Sequence, residues 1–250
     1  DSHEIPMNSA SSLVSEPVSS SSTTPKSVRL PSPRELRSAE PLSASAELFL
    51  RETRGRLRHR LTDGRGPTIA IVGPCSLHSE EAALAYADLL APVAERLSDD
   101  LIVVMRAYFE KPRTTVGWKG FLYDPDLDGS DRLIDGLTRS RALLVQLAQR
   151  KLALATEILD PLAADYLEDC LSWVAIGART AESQIHRQIA SRLACPVGFK
   201  NGTDGSVDVG WPASRAAPPR RTTATPSSSA RACSGWSPTG AGTWTSRSAG

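Results

Sequence analysis

The 250-residue sequence predicts an α/β fold built from parallel βαβ units. Short apolar runs rich in β-branched residues recur along it, which is typical of buried strands. The segments between these runs carry apolar residues at helical spacing. The predicted strands are 68–73, 101–106, 152–158, 173–178 and 196–200. Strands alternating with helices indicate right-handed crossovers in a parallel sheet, and periodicity alone does not separate an open doubly wound sheet from a closed barrel.

The helices follow from the same periodicity. Segment 44–61 is a predicted helix with a basic face, and the next helix, 79–97, opens with Ser79 as a candidate N-cap. A loop from 107 to 129 holds most of the glycine and aromatic residues of its region. The remaining predicted helices are 130–150, about 162–171 and about 181–193.

Composition divides the chain into three zones. Residues 1–42 are rich in Ser, Pro and Thr, and such a segment buries too little apolar surface to offset its ordering entropy, so we expect it to be mostly disordered. Residues 43–209 carry the periodic pattern and form the predicted domain. Residues 210–250 use only Gly, Trp, Pro, Ala, Ser, Arg, Thr and Cys, which cannot form a packed face, and we expect disorder there too.

The residue types of segment 210–250 share a property in the genetic code. Each of the eight has codons with G or C at the second position. That restriction is expected when a GC-rich gene is read out of frame. We therefore interpret the segment as the product of a shift in reading frame after Val209.

Charge and cysteine usage narrow the function classes. The net charge of +1 gives no electrostatic signal for nucleic acid or an anionic membrane. No apolar run approaches the length of a bilayer span, and the first residues do not resemble a secretory signal. The four cysteines have irregular spacing without a CxxC pair, so a reducing cytoplasm is the expected location.

Polar residues lie at the ends of the predicted strands or just after them, which is where parallel α/β folds place their sites. They are Cys75, Arg106, Lys111, Arg113, Glu157, Arg179 and Lys200. Five cations on one rim would repel each other without an anionic ligand, and Arg fits phosphate and carboxylate groups by paired hydrogen bonds. The pattern predicts a site for one or more small phosphorylated acids.

Simpler interpretations exist for single residues. Cys75 alone fits a small buried hydrophobe as well as a metal ligand, and His78 and His186 fit surface or core positions. The motif "KNGTDG" is compatible with a phosphate loop and with ordinary turn chemistry. The basic run within 51–60 is interpreted as a solvated helix face.

Four motifs together carry a specific resemblance. "GPCSLHS", "MRAYFEKPRTTVGWKG", "GARTAESQIHR" and "CPVGFKNGTDG" resemble the microbial class I 3-deoxy-D-arabino-heptulosonate 7-phosphate (DAHP) synthases over about residues 30–209. The resemblance implies a (β/α)8 TIM barrel with an N-terminal extension, and a homo-oligomer. It also implies condensation of phosphoenolpyruvate with erythrose 4-phosphate at the entry to aromatic amino-acid synthesis (the shikimate pathway), with a divalent metal (Mn, Fe, Co or Zn).

The resemblance also implies roles for individual residues. Cys75 matches the family's metal-ligand cysteine, and Glu157 matches an acidic residue beside the reacting centre. Arg113 and Thr114 match the residues that hold erythrose 4-phosphate. The residues that match the phosphoenolpyruvate site are Arg106, Lys111, Arg179 and Lys200. Lys111 and Glu157 are the expected catalytic residues.

The sequence departs from the family pattern after Val209. The family's other three metal ligands, a His, a Glu and an Asp, lie on the last three strands, and none has a counterpart here. We therefore expect about the first five strands of the barrel, a truncated chain and no activity. A non-catalytic product and a module that binds phosphorylated ligands remain the alternatives to an enzyme.

Overall fold

Five parallel strands form a single sheet in the order β1-β2-β3-β4-β5. The structure is a computed structural model and describes residues 29–113 and 115–206. All of the described helices and strands lie in the unit Pro31–Gly250. The strands are β1 (Thr68–Val72), β2 (Leu101–Arg106), β3 (Ala153–Ile158), β4 (Trp173–Ile176) and β5 (Val197–Phe199). The predicted α/β architecture with five strands is confirmed.

Helices connect the strands and precede the first of them. They are α1 (Pro33–Ala39), α2 (Ala44–Asp63), α3 (Glu80–Arg96), α4 (Leu133–Gln149), α5 (Pro161–Leu167) and α6 (Gln184–Arg192), with a 3₁₀ turn at Glu168–Cys170. Each of α3 to α6 joins two neighbouring parallel strands, as the sequence predicts. Ser79 is the N-cap of α3, since its hydroxyl accepts the Ala82 N–H at 3.2 Å.

The strand register places all five carboxyl ends at one edge of the sheet. Val72 of β1 lies opposite Met105 of β2, and Arg106 lies opposite Ala155 of β3. Ile176 of β4 pairs with Ile158 on one side and with Phe199 on the other. Residues that follow the strands are therefore brought together at this edge.

One face of the sheet carries a core cluster that also fixes α2. Leu57 of α2 is fully buried and packs with residues from three strands and from the segment after β2. The other buried members of the cluster are Ile102, Val104, Ala153, Ala155 and Ala175 on the strands and Tyr108 after β2. The alanines on β3 and β4 leave room for Leu57 and for the ring of Tyr108.

The basic face of α2 is bonded to backbone carbonyls rather than only to water, so its interpretation as a solvated face is wrong in part. Arg54 donates to the Leu171, Glu168 and Asp169 carbonyls at 2.7, 2.9 and 2.7 Å. Arg56 donates to the Ser98 carbonyl at 2.6 Å, and Arg58 donates to the Ala194 carbonyl. These carbonyls lie just after α3, α5 and α6, where helix ends leave acceptors unused.

Part of the segment that composition predicts as disordered is helical. Ser32 and Glu35 form a reciprocal capping box at the start of α1, and Pro33 occupies its first turn. The Tyr166 hydroxyl donates to the Pro31 carbonyl at 2.6 Å. The disorder expected for 1–42 is therefore wrong for the stretch that contains α1. Residues 1–28 and the segment 210–250 lie outside the described residues.

Of the helices within 29–113 and 115–206, none combines the length and the apolar character needed to cross a membrane.

Candidate active site

The carboxyl edge of the sheet brings together a thiol, a carboxylate and three cations. The Lys111 ammonium donates to Cys75 Sγ at 2.8 Å, which joins the loop after β2 to the loop after β1. The Lys200 ammonium, one residue after β5, forms an ion pair with Glu157 Oε2 in β3. Arg106 ends β2 between these two pairs. Four of the five strands thus contribute to one cluster.

The backbone at Gly73 allows the loop after β1 to lie against the end of β2. Gly73 has a φ of 134°, and a Cβ there would lie 3.2 Å from both the nitrogen and the Cβ of Arg106. The guanidinium of Arg106 then donates to the Pro74 carbonyl at 3.1 Å and to the Cys75 carbonyl at 3.3 Å. These bonds fix the arginine and the cysteine relative to each other.

Lys111 is placed by a loop that folds back on itself. The Lys111 N–H donates to the Lys119 carbonyl at 2.9 Å, and the Leu122 N–H donates to the Phe109 carbonyl at 3.0 Å. Gly120 has a φ of 111°, and a Cβ there would lie only 2.7 Å from the Glu110 Cα. Only glycine fits this close approach. The segment that returns along the loop therefore holds Lys111 next to Cys75.

The surrounding cations favour the ionised form of Cys75. The hydrogen bond from Lys111 is the largest cause that lowers the pKa of the thiol, and partial burial opposes it. The positive charges of Lys111, Arg106 and Lys200 lower the pKa further. The side chain is exposed, so this sulfur is accessible within a cationic rim.

Tyr108 lies beneath the rim and is not among the residues predicted from the sequence. The guanidinium carbon of Arg106 is 4.2 Å from the centre of its ring, and the Lys200 nitrogen is 5.3 Å from it. Burial raises the pKa of Tyr108 to about 12, further above the neutral range than that of an ordinary tyrosine. Its spacing two residues after Arg106 was the available signal, since alternate residues of an extended chain share a face.

Glu110 is a second residue that the sequence analysis missed. Its buried carboxyl group accepts the Leu159 N–H at 3.2 Å and the Asp160 N–H at 2.8 Å. Desolvation raises its pKa to about 8. His186 approaches the same segment from α6, with its Nε2 2.8 Å from the Leu159 carbonyl.

The sequence model of the DAHP synthetase I family matches residues 46–229 of the chain. The chain belongs to this family. The match runs past Val209, where we expected the resemblance to end, into residues outside the described part.

Comparison of the chain with individual proteins gives the same family. The chain is 52% identical over 189 residues to the Tyr-sensitive phospho-2-dehydro-3-deoxyheptonate aldolase of Salmonella typhimurium, covering 75% of this chain and 53% of that protein. It is 49% identical to the phenylalanine-inhibited aldolase of Saccharomyces cerevisiae over 71% of this chain and 48% of the yeast protein. The chain therefore spans about half the length of the curated relatives it matches.

A solved structure gives the same result for the fold. The phospho-2-dehydro-3-deoxyheptonate aldolase of Francisella tularensis superposes with a TM-score of 0.74 at 40% identity. The superposition covers 76% of this chain and 56% of that one.

Not every predicted site residue of this DAHP synthetase I chain joins the cluster. Arg113 is exposed and donates to the Trp118 carbonyl at 3.1 Å within its own loop. Arg179 is exposed in the turn after β4 and has no hydrogen bond or ion pair to the described residues. Thr114 lies outside the described residues. His186 is buried and His78 is exposed, as expected for core and surface positions.

The "KNGTDG" segment has the geometry of a turn. The Gly202 N–H donates to the Ser206 carbonyl at 2.6 Å, and the Gly205 N–H donates back to the Gly202 carbonyl at 2.9 Å. The Ser206 N–H is used by the Asp204 carboxylate at 2.9 Å. These three N–H groups are bonded within the loop, which favours the turn interpretation over a phosphate cradle.

The described residues do not by themselves fit a divalent metal ion. Within 29–113 and 115–206, no group of three His, Cys, Asp or Glu side chains is placed to hold one. Cys75 is the single predicted ligand, and its sulfur faces the ammonium group of Lys111. The metal implied by the resemblance would need ligands beyond these residues.

Proposed function

We propose that the chain carries the phosphoenolpyruvate site of a DAHP synthase. That enzyme condenses phosphoenolpyruvate with erythrose 4-phosphate in the first step of aromatic amino-acid synthesis. The observation that carries the proposal is the convergence of Arg106, Lys111 and Lys200 around Cys75 and Glu157 at the carboxyl edge. The names of the family's relatives support the same reaction.

The charges of the site suit a small molecule with a phosphate and a carboxylate. Arg106 offers a planar fork of donors, and the two lysines offer compact ammonium charges. Arg179 is exposed in the turn after β4, where it is able to contact the same ligand. Arg113 and Thr114, further along the β2 loop, are the proposed contacts for erythrose 4-phosphate.

The proposed reaction assigns roles to Lys111 and Glu157. C3 of phosphoenolpyruvate attacks the aldehyde carbon of erythrose 4-phosphate, and Lys111 protonates the aldehyde oxygen as its C=O bond opens. Water then adds at C2 and loses one proton to Glu157. The C2–O bond to phosphate breaks as the new hydroxyl loses its second proton to the leaving phosphate, which gives the 2-keto product. Glu157 and Lys111 regain their starting states by exchange with solvent.

Binding of phosphoenolpyruvate to the 250-residue chain tests the proposal. Isothermal titration calorimetry should detect binding to the wild type and at least a tenfold weaker affinity for Lys111→Ala, because a positioned charge is lost. Lys119→Ala is the matched control, since Lys119 lies in the same loop but forms an exposed ion pair with Asp131 at 3.2 Å. Absence of binding at millimolar phosphoenolpyruvate, or equal losses in both variants, would contradict the proposal.

Turnover is measured separately from binding. Phosphate release from phosphoenolpyruvate with erythrose 4-phosphate is followed in the presence of Mn, Fe, Co or Zn ions. Metal-dependent release identifies the chain as a catalyst. Binding without release identifies it as a module that holds the phosphorylated ligand, which is the alternative that the sequence left open.

We further propose a cytoplasmic location and a homo-oligomeric state. In the described part of the chain, Cys75 and Cys170 are free thiols, which supports a reducing compartment. Light scattering coupled to size-exclusion chromatography measures the oligomeric state directly.

A further inference from the structure

One aromatic ring lies under two cations that come from distant strands of the sheet. Arg106 ends β2 and Lys200 follows β5, and β3 and β4 lie between them. Both side chains nevertheless approach the face of Tyr108, at 4.2 Å for the guanidinium carbon and 5.3 Å for the ammonium nitrogen. The ring is therefore a shared contact of side chains from the ends of β2 and β5.

We infer that Tyr108 is a positioning residue that holds Arg106 and Lys200 at a fixed spacing for a phosphorylated anion before that anion binds. The inference rests on the proposed function, because it concerns the same site. Tyr108 acts through the two cations and does not itself contact the reacting atoms.

The repulsion between the two cations explains why such a residue is needed. Two cations that face one small volume repel each other, and without an anion they would turn outward into solvent. The negative face of an aromatic ring attracts a cation within about 6 Å, and this attraction is stronger where water is excluded. The carboxylate of Glu157 offsets the charge of Lys200, and the carbonyls of Pro74 and Cys75 hold Arg106. The ring of Tyr108 lies within cation–π distance of both cations.

The core of the protein fixes the ring of Tyr108, as is required of a positioning residue. Tyr108 is 6% exposed and packs in the core cluster with Leu57, Ile102 and Val104. Its carbonyl accepts the Leu77 N–H at 2.8 Å, which ties it to the loop that carries Cys75. A phenol is neutral near pH 7, and burial raises the pKa of Tyr108 further, to about 12, so the ring adds no negative charge that would compete with the ligand.

The substitutions that test the inference separate the aromatic face from apolar volume. Tyr108→Phe keeps the ring face and should bind phosphoenolpyruvate within twofold of the wild type. Tyr108→Leu keeps an apolar side chain without a ring, and its affinity should fall about tenfold. Tyr108→Met is a second non-aromatic variant that fills irregular space well and should lose affinity likewise. Phe109→Leu is the control, since this neighbouring buried ring packs on Phe121 instead, and it should lower the thermal midpoint without the tenfold loss.

A second readout does not depend on any ligand. The chain has only five lysines, so the Cε–Hε signals of a chain labelled with ¹³C-lysine can be assigned by single Lys→Arg substitutions. The Lys200 signal should lie upfield of the other four in the wild type and in Tyr108→Phe, because it feels the ring current.

The outcomes distinguish this inference from the proposed function. An unshifted Lys200 signal in the wild type overturns the role of Tyr108, whatever the chain binds. A shifted signal together with unchanged affinity in the folded Leu or Met variant overturns it as well. If the wild type binds no phosphoenolpyruvate, the proposed function fails and the positioning role fails with it, while a shifted Lys200 signal shows that the ring–cation contact itself exists. The inference stands when the signal is shifted, the Phe variant binds normally and the Leu and Met variants bind about tenfold more weakly.

Discussion

The carboxyl group of Glu110 experiences two opposing effects. The N–H groups of Leu159 and Asp160 donate to its two oxygens and favour the ionised form, whereas burial favours the neutral acid. Burial prevails and raises the pKa from 4.5 to about 8. The carboxyl group of Glu110, next to Lys111 in the sequence, therefore takes up a proton on folding between about pH 4.5 and pH 8.

This uptake makes the stability of the fold depend on pH through Glu110. The folded state binds the proton more tightly than the unfolded state, so the stabilisation is complete below about pH 4.5 and is lost as the pH rises through about 8. We expect the unfolding free energy of the wild type, relative to that of Glu110→Gln, to fall steadily between these values. Urea unfolding of both proteins from pH 4.5 to 9, followed by tryptophan fluorescence, measures the difference. A difference that does not change with pH would show that Glu110 has an ordinary pKa.

Single residues of the site were predictable when their position along a strand was enough to place them. Cys75, Arg106 and Lys200 follow strand ends, and the register of a parallel sheet brings such residues together. Tyr108 and Glu110 were missed because their importance comes from contacts between elements. A sequence pattern shows neither which cations approach a ring nor which N–H groups face a buried carboxyl group.

Helix α2 supplies hydrogen-bond donors to the ends of three other helices. The last carbonyls of a helix have no partner within that helix, and three arginines of α2 donate to carbonyls that follow α3, α5 and α6. Arg54 provides most of these bonds, since it reaches three carbonyls around the 3₁₀ turn at Glu168–Cys170. The basic face of α2 therefore stabilises the connections at the amino-terminal edge of the sheet. The site lies at the opposite, carboxyl edge.

We expect Arg54→Met to lower the unfolding free energy by about 2 kcal/mol, because hydrogen bonds from a charged donor are lost and the carbonyls lose their partner. Arg51→Met is the matched control on the same helix. Arg51 is exposed, so its replacement should change stability by less than about 0.5 kcal/mol. Chemical unfolding of the three proteins measures both effects. Equal, small changes would mean that water replaces Arg54 without loss.

Most elements were predictable because their apolar periodicity extends over many residues, as in α3 and α4. Helix α1 was not, because it has seven residues and lies in a segment rich in Ser and Pro. In that segment Ser32 and Pro33 start a helix rather than prevent one. The capping pair Ser32 and Glu35 was the local signal, and averaging composition over 42 residues concealed it.

At the scale of the sheet, the strands differ in how much of their backbone is protected. β3 lies in the centre, pairs with β2 and β4, and all six of its residues are buried. β1 lies at one end of the described sheet, pairs with β2 and is only partly buried. Successive N–H groups of a strand point to alternate sides, so only about half of those in β1 point toward β2.

We therefore expect the amides of β3 to exchange with deuterium at least ten times more slowly than those of β1. Exchange of a backbone amide requires its hydrogen bond to open, and the free energy of opening is highest in the most buried strand of a sheet. Hydrogen exchange followed by mass spectrometry compares peptides that span Thr68–Val72 and Ala153–Ile158 in the same protein. The α4 helix, which packs against β3, gives an internal standard for slow exchange. Equal protection of the two strands would mean that a further segment, outside residues 29–113 and 115–206 or from a second copy of the chain, pairs with the open side of β1.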